Sequence, residues 1–410
     1  MAMRILILTL LLLLIDVMAF QAVRPLVANS AKSLRTIVYI VYWLVPVVTL
    51  IYLGGFSTGW SETLPKGLQV TIRTMIFIFY FSKLLIAAII LVDVLRRLVF
   101  GALNMGINDL SLSTERSRIM SYGALILGAI PVLSLTYGMA RNQYRYTLHK
   151  TRIPVKGLHP DLEGLKIIQI SDIHSGSFLL KEPVERSIEM INAEKPDIVF
   201  FTGDLVNSLA NEMEPFVEMF SRIQAPLGVY SILGNHDYGD YHHWTNPADK
   251  HKNFEELKSM HKRLGWDLLL NEHRQIQHKG ATFHVVGVEN YSASPRFPKY
   301  GDLKKATEGM APDTFNVLLS HDPSHWEAQV APNHPEIDLT LSGHTHGFQF
   351  GVEIPGYIKW SPIQYVYPQW AGLYEKAHQF LYVNRGLGYL GYPGRVGILP
   401  EITLLTLHQS

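Results

Sequence analysis

Five short polar clusters carry side chains suited to divalent cations: Ser171-Asp172-Ile173-His174, Thr202-Gly203-Asp204, Gly234-Asn235-His236-Asp237, Ser320-His321 and Gly343-His344-Thr345-His346. Together they offer Asp172, His174, Asp204, Asn235, His321, His344 and His346, which are two carboxylates, four imidazoles and one amide oxygen. Two cations about 3.5–4 Å apart need a ligand that touches both, and a carboxylate is the natural bridge. With Asp204 as that bridge, each cation has four protein contacts. The chain has no cysteine, which excludes thiolate sites, disulfides and cysteine nucleophiles. Oxygen and imidazole donors favour a catalytic pair of Mn²⁺ ions, with Zn²⁺ or Fe as alternatives.

The chemistry expected of such a pair follows from charge. A metal-bound water loses its proton near neutral pH and becomes a nucleophile, while the ions neutralise phosphoryl oxygens. His236 is free to protonate a leaving oxygen, and Asp237 is expected to hold its ring. The reaction is then hydrolysis of a phosphoester or pyrophosphate.

These clusters must be positioned by what precedes them. Leu165–Ile170, Asp197–Phe201, Val229–Leu233, Phe315–Leu319 and Ile337–Leu341 are short apolar runs that read as buried strands. Lys181–Glu194 reads as an amphipathic helix with Glu185, Glu189 and Lys195 facing water, and Asn253–Leu264 as another. The alternation predicts an α/β fold with every cluster just beyond a strand's carboxyl end, where such folds place their sites.

Asp-x-His, Gly-Asp, Gly-Asn-His-Asp, a lone strand-end His and Gly-His-x-His, in this order, resemble the calcineurin-like metallophosphoesterase superfamily. The resemblance covers about residues 160 to 410, including Asn384–Gly388 and Pro400–Leu404. It implies a metallophosphoesterase β-sandwich flanked by helices. It also implies that one metal takes Asp172, His174, Asp204 and His346, and the other Asp204, Asn235, His321 and His344, with His236 as the acid. The pattern is similar to a membrane-anchored bacterial branch, some of whose members cleave the pyrophosphate of UDP-2,3-diacylglucosamine. The resemblance favours the cytoplasmic side for the catalytic part.

Ahead of this lies an apolar region. Ile5–Val23, Ile37–Phe56, Thr74–Leu95 and Ile119–Met139 each approach the roughly 20 residues that cross a bilayer as helix. Residues 1–145 therefore read as a four-helix transmembrane region and 146–410 as the catalytic domain, which makes a multi-pass protein of the cell (inner) membrane. Basic residues flank both sides evenly and fix no orientation. Asp16 and Lys83 lie mid-span; they either pair inside the bundle, or snorkel or line a wet crevice.

Overall, 48% of residues are hydrophobic and 17% charged, and the net charge of +1 gives no electrostatic footprint for nucleic acid. The expected partners are the lipid bilayer and a phosphorylated small-molecule or lipid substrate. A tether raises the local concentration of lipids, which puts them first. Cyclic nucleotides and phosphoproteins suit the same metal core, and a phosphate sensor or scaffold without turnover is the reading from another class.

The aromatic stretch Phe348–Trp370 either lines an apolar cleft, rests on the membrane surface, or packs as a flap on the sandwich edge. Arg296, Lys299, Arg385 and Arg395 are candidates to grip a second phosphate or a carboxylate. His242, His243, His251, His261, His273, His278 and His284 lack strand-end context and are expected at solvated positions.

Overall fold

The computed structural model describes residues 2–106, 111–311, 314–354 and 356–410. It divides into two compact units, Met1–Tyr137 and Gly138–Ser410.

The first unit contains the helices α1 (Ala2–Val27), α2 (Lys32–Ser57), α3 (Lys66–Gly106) and α4 (Arg118–Tyr137). All four are long and apolar enough to cross a membrane. They run past the apolar stretches that define the spans, because flanking Lys, Arg and Gln are good helix formers. Leucine, isoleucine and valine cover the outside, while Ala19, Ala22 and Ala124 are fully buried between helices. Hydrocarbon gives helices no hydrophobic reason to associate, so small residues that allow close packing take over.

A cluster of polar contacts crosses this interior. Lys83 Nζ lies 2.6 Å from Asp16 Oδ1, and Asp16 is completely buried. The Tyr80 hydroxyl donates to the other Asp16 oxygen at 2.8 Å, and the Lys83 ammonium sits 4.5 Å from the centre of the Tyr42 ring. Of the two arrangements open to these charges, the bundle adopts the ion pair.

The second unit is a sandwich of two six-stranded sheets. Its strands begin with β1 (Thr147–Val155), β2 (Lys166–Ile170), β3 (Ile198–Phe201), β4 (Val229–Ser231) and β5 (Asp267–Leu268). They continue with β6 (Glu272–His278), β7 (Ala281–Gly287), β8 (Phe315–Leu319) and β9 (Leu339–Ser342). The last are β10 (Val352–Ile354), β11 (Ile358–Trp360), β12 (Gly372–Lys376), β13 (Gln379–Val383) and β14 (Glu401–Gln409). One sheet has the order β1-β14-β2-β3-β4-β5 and the other β12-β13-β9-β8-β7-β6, while β10 and β11 form a separate hairpin.

The apolar runs are continuous because both faces of each sheet are covered. In β3, Ile198 and Phe200 point into the core between the sheets, whereas Val199 and Phe201 pack under helices. Those helices are α5 (Lys181–Ala193), α6 (Val217–Phe220) and α7 (Pro247–Leu264). On the outer face of the other sheet, Leu318 packs with Leu303 and Trp326. The resulting architecture is a β-sandwich flanked by helices. Helix α7 starts six residues ahead of Asn253, because Asn246 caps it by accepting from the Ala248 amide and Pro247 occupies its first turn.

Candidate metal centre

Strands β2, β3 and β4 run parallel in one sheet, as do β8 and β9 in the other. Their carboxyl ends therefore meet at one edge of the sandwich. The turns there are forced: Asp172, His174, Asp204, His344 and His346 all have positive φ, between 46° and 70°. Such backbone costs about 1–3 kcal/mol per residue and persists where surrounding structure fixes it. Gly234 and Gly343 allow the crowding, since a Cβ on either would overlap the carboxylate of Asp204 or Asp172.

The turns bring the seven candidate ligands together as two adjoining groups. In the first, His174 Nε2 is 3.1 Å from His346 Nε2, which is 3.1 Å from Asp172 Oδ1. In the second, His344 Nδ1 lies 2.8 Å from Asn235 Oδ1 and 3.3 Å from His321 Nε2. Asp204 stands between them. Its Oδ1 accepts from the His236 amide at 2.9 Å, while Oδ2 is 3.5 Å from His174 Nε2 and 3.2 Å from His321 Nε2.

Hydrogen-bond logic fixes which ring nitrogens are free. The Thr202 carbonyl can only accept, so His321 Nδ1 at 2.7 Å carries a hydrogen and Nε2 keeps its lone pair. The Asp322 carboxylate accepts from the Tyr367 hydroxyl at 3.2 Å. The Tyr367 oxygen must then accept from His344 Nε2, 2.9 Å away, which leaves the Nδ1 lone pair facing inward. Asn235 donates its amide to the Tyr241 hydroxyl at 2.8 Å and so turns its oxygen inward too.

Four acceptors thus converge with no donor among them: His344 Nδ1, His321 Nε2, Asn235 Oδ1 and Asp204 Oδ2. Acceptors alone repel one another, so the cluster fits a cation. Without one, a proton fills the gap. Burial works against charge on His321, yet the Asp204 carboxylate prevails and pushes the ring up to about 10. Burial instead holds His174 down to about 3, the neutral form a ligand needs. Burial also lowers His344, against the pull of Asp322.

His236 is only partly covered and stands edge-on to His174, with ring centres 4.9 Å apart. Its Nδ1 is 2.7 Å from the Asn207 carbonyl and must donate to it, so Nε2 is the free nitrogen. The expectation that Asp237 holds this ring is corrected. Asp237 accepts from the amides of Asp204, Leu205 and Gly234 at 2.8–2.9 Å, because a tight turn leaves those N–H groups pointing at it. Asn207, Tyr241 and Asp322 carry no mark in the sequence beyond the adjacency of Asp322 to His321, whereas Tyr367 lies in the aromatic stretch Phe348–Trp370, whose expected contact is a cleft, the membrane surface or the sandwich edge rather than a ligand.

Arg385 and Arg395 are also corrected as substrate grips. Arg385 is buried against Glu401 and, at 2.7 Å, Glu353. Arg395 is fully buried and donates to the carbonyls of Arg385 at 2.7 Å and Gly386 at 3.1 Å, holding a loop. Arg296 and Lys299 are exposed. His261 and His284 are buried rather than solvated, bonded to Ser231 and to Thr314 and Asn316.

Residues 165–348 match the family model for calcineurin-like phosphoesterases, and residues 3–143 match one described as a probable calcineurin-like phosphoesterase, transmembrane domain. A zebrafish (Danio rerio) transmembrane protein with metallophosphoesterase domain is 32% identical over 326 residues, covering 76% of this chain and 70% of that protein. The chain belongs to the calcineurin-like metallophosphoesterase family. This phosphoesterase is a phosphoester hydrolase and a membrane protein. Its cattle (Bos taurus) relative of the same description is 33% identical, over 63% of this chain and 56% of that protein. The uncharacterized metallophosphoesterase YkuE of Bacillus subtilis is 29% identical, over 70% of this chain and 95% of its own. The four-helix region thus matches a domain model of its own.

Proposed function

We propose that this phosphoesterase cleaves a phosphoester or pyrophosphate bond in a lipid-linked substrate. It would use a pair of divalent cations held by Asp172, His174, Asp204, Asn235, His321, His344 and His346. When bound, the cations would supply Lewis acidity to the phosphoryl group and acidify a water for attack on phosphorus.

The observation that carries the reading is the convergence of four donorless acceptors, among them Asp204 Oδ2, one atom within 3.5 Å of candidate-ligand nitrogens in both groups. The Asn207 carbonyl keeps the His236 ring from turning and leaves Nε2 facing the leaving oxygen, the position from which the imidazolium form would donate a proton. Oxygen and imidazole donors without thiolate suit Mn²⁺ first, then Zn²⁺ or Fe. The lipid-linked substrate is supported by four membrane-spanning helices in the same chain. The resemblance to bacterial relatives supports the cell membrane and the cytoplasmic side.

The test is hydrolysis of bis-p-nitrophenyl phosphate by detergent-solubilised full chain with added Mn²⁺. Asp204→Asn should abolish turnover, and His236→Ala should lower kcat by about 10²–10⁴ with bound metal unchanged. A chain that binds phosphate yet turns over no diester with Mn²⁺, Zn²⁺ or Fe²⁺ would be the sensor or scaffold instead. Mass spectrometry of products formed from a membrane lipid extract then identifies the substrate class.

A further inference from the structure

The hairpin β10–β11 is built inside out. Side chains alternate across a two-stranded ribbon, so a surface hairpin ordinarily turns polar residues to water and apolar ones inward. Here Glu353 and Lys359, which pair across the ribbon, face the body of the protein. Glu353 accepts from Arg385 at 2.7 Å. Lys359 donates to the Ala371 carbonyl at 2.5 Å and lies over the rings of Trp370 and Tyr374. The opposite face carries Val352, Ile354 and Ile358, which are 44%, 48% and 50% exposed. The turn adds Tyr357 at 87%, and the following segment adds Tyr365 and Val366 at 78% and 69%.

A register slip of one residue would reverse both faces, so the two inward charges lock the apolar side out. Scattered exposed apolar residues need no explanation, but six on one short segment do. The segment is also tied to the metal centre. It leaves His346 through Phe348 and Gln349, both at positive φ, and returns through Tyr367, whose oxygen accepts from His344.

We propose that this hairpin and the adjoining Tyr365–Val366 segment form a membrane-contacting flap, seated in the interfacial layer of the bilayer to which the chain is tethered. Three observations favour a lipid surface over a protein. The same chain carries four membrane-spanning helices, so a bilayer is always within its tether. The outward face pairs aliphatic side chains with tyrosines, the mixture that suits the headgroup boundary. The ribbon's two charged groups are also engaged on its inner side, Glu353 with Arg385 and the Lys359 ammonium with the Ala371 carbonyl, although the Lys359 residue itself is exposed. Seated there, the flap would present lipid headgroups to the edge of the sandwich where the ligands lie. In that respect it rests on the lipid-linked reading above and narrows the substrate to one still resident in the bilayer.

The chain lacks native thiols, so Ile354→Cys and Ile358→Cys can be labelled with bimane in the full chain, reconstituted into phosphatidylethanolamine–phosphatidylglycerol vesicles. Ser259→Cys, on the exposed side of α7, is the comparison. Shallow doxyl-lipid quenchers should quench both flap labels several-fold more than the Ser259 label. Equal quenching at the three positions overturns the flap, as does label–label proximity that marks a second copy on this face.

A kinetic arm uses phosphatidyl-p-nitrophenol in the vesicles and bis-p-nitrophenyl phosphate in water. The double variant Ile354→Ser/Ile358→Ser should lose about tenfold in kcat/KM on the first and nothing on the second. Equal loss on both would mean that these residues merely support the fold, and overturns the proposal. Quenched labels without any diester turnover would sink the hydrolase reading alone, and diester turnover with unquenched labels would sink the flap alone.

Discussion

Asp237 fastens the turn that presents Asp204: its Oδ2 accepts from the Asp204 amide at 2.9 Å and from the Gly234 amide at 2.8 Å. Asp204 sits at φ 61°, a conformation it would not hold alone. Asp237→Asn puts an amide where the N–H groups of Asp204, Leu205, Val206 and Gly234 converge, so one of its groups must face a donor with a donor. The expected result is about 2–4 kcal/mol of lost stability and weaker cation binding, since the Asp204 carboxylate swings. Thermal unfolding and metal analysis of purified protein check this. His236→Ala should instead leave metal content untouched, and equal metal loss in both variants would contradict the division of labour.

Much of this was legible in the chain itself. The five clusters pointed to the candidate ligands because each sets a metal-binding residue type at a strand's end, and strand ends show in the length of apolar runs. The sandwich was harder to read: that β3 sends Ile198 and Phe200 one way and Val199 and Phe201 the other is invisible when all four are apolar. The supports of the ligands were hidden for another reason. Tyr367 reaches His344, and Asn207 reaches His236, across sequence gaps of 23 and 29 residues, with no periodicity to mark them. Asp237 misled because adjacency in sequence to His236 is not adjacency in a turn.

Tyr367 relays between His344 and Asp322, and burial together with the Asp322 carboxylate raises its hydroxyl's pKa, so it stays a donor. Tyr367→Phe breaks the relay and frees the His344 ring to rotate. Loss of such a support lowers metal affinity by about 10–100-fold. Activity titrated against Mn²⁺ should therefore shift to higher metal concentration and recover its maximum at saturation. A variant whose maximum falls while its Mn²⁺ midpoint stays put would mean that Tyr367 acts on substrate rather than on the ligand.

The buried Asp16–Lys83 pair gives the membrane unit a test of its own. Removing one partner strands a charge in the bundle, at a cost of about 3–5 kcal/mol. Lys83→Asp should sharply lower the yield of membrane-inserted protein, and the exchange Asp16→Lys/Lys83→Asp should restore much of it. Restoration will be partial, because the Tyr80 hydroxyl is aimed at a carboxylate on α1. If the exchanged chain inserts no better than Lys83→Asp, the pair does not hold the helices together.

Buried histidines away from the candidate ligands make the catalytic unit sensitive to acid. Burial holds His261 down to about 3, and holds His325 down to about 4 against its contact with Gln329. In the unfolded chain both rings take a proton near their ordinary value of 6.5, while the folded rings refuse it until far lower pH. Protons therefore favour the unfolded chain between pH 6.5 and those folded values, and stability present above pH 6.5 is lost on acidification. The slope is about 1.4 kcal/mol per pH unit for each ring. His261→Phe gives up the 2.9 Å contact with Ser231 but removes one of these titrations. The apparent Tm of the full chain in detergent, followed from pH 7 to about pH 4.5, should fall less steeply in the variant. Parallel curves for the two proteins would show that His261 takes up its proton in the folded state after all.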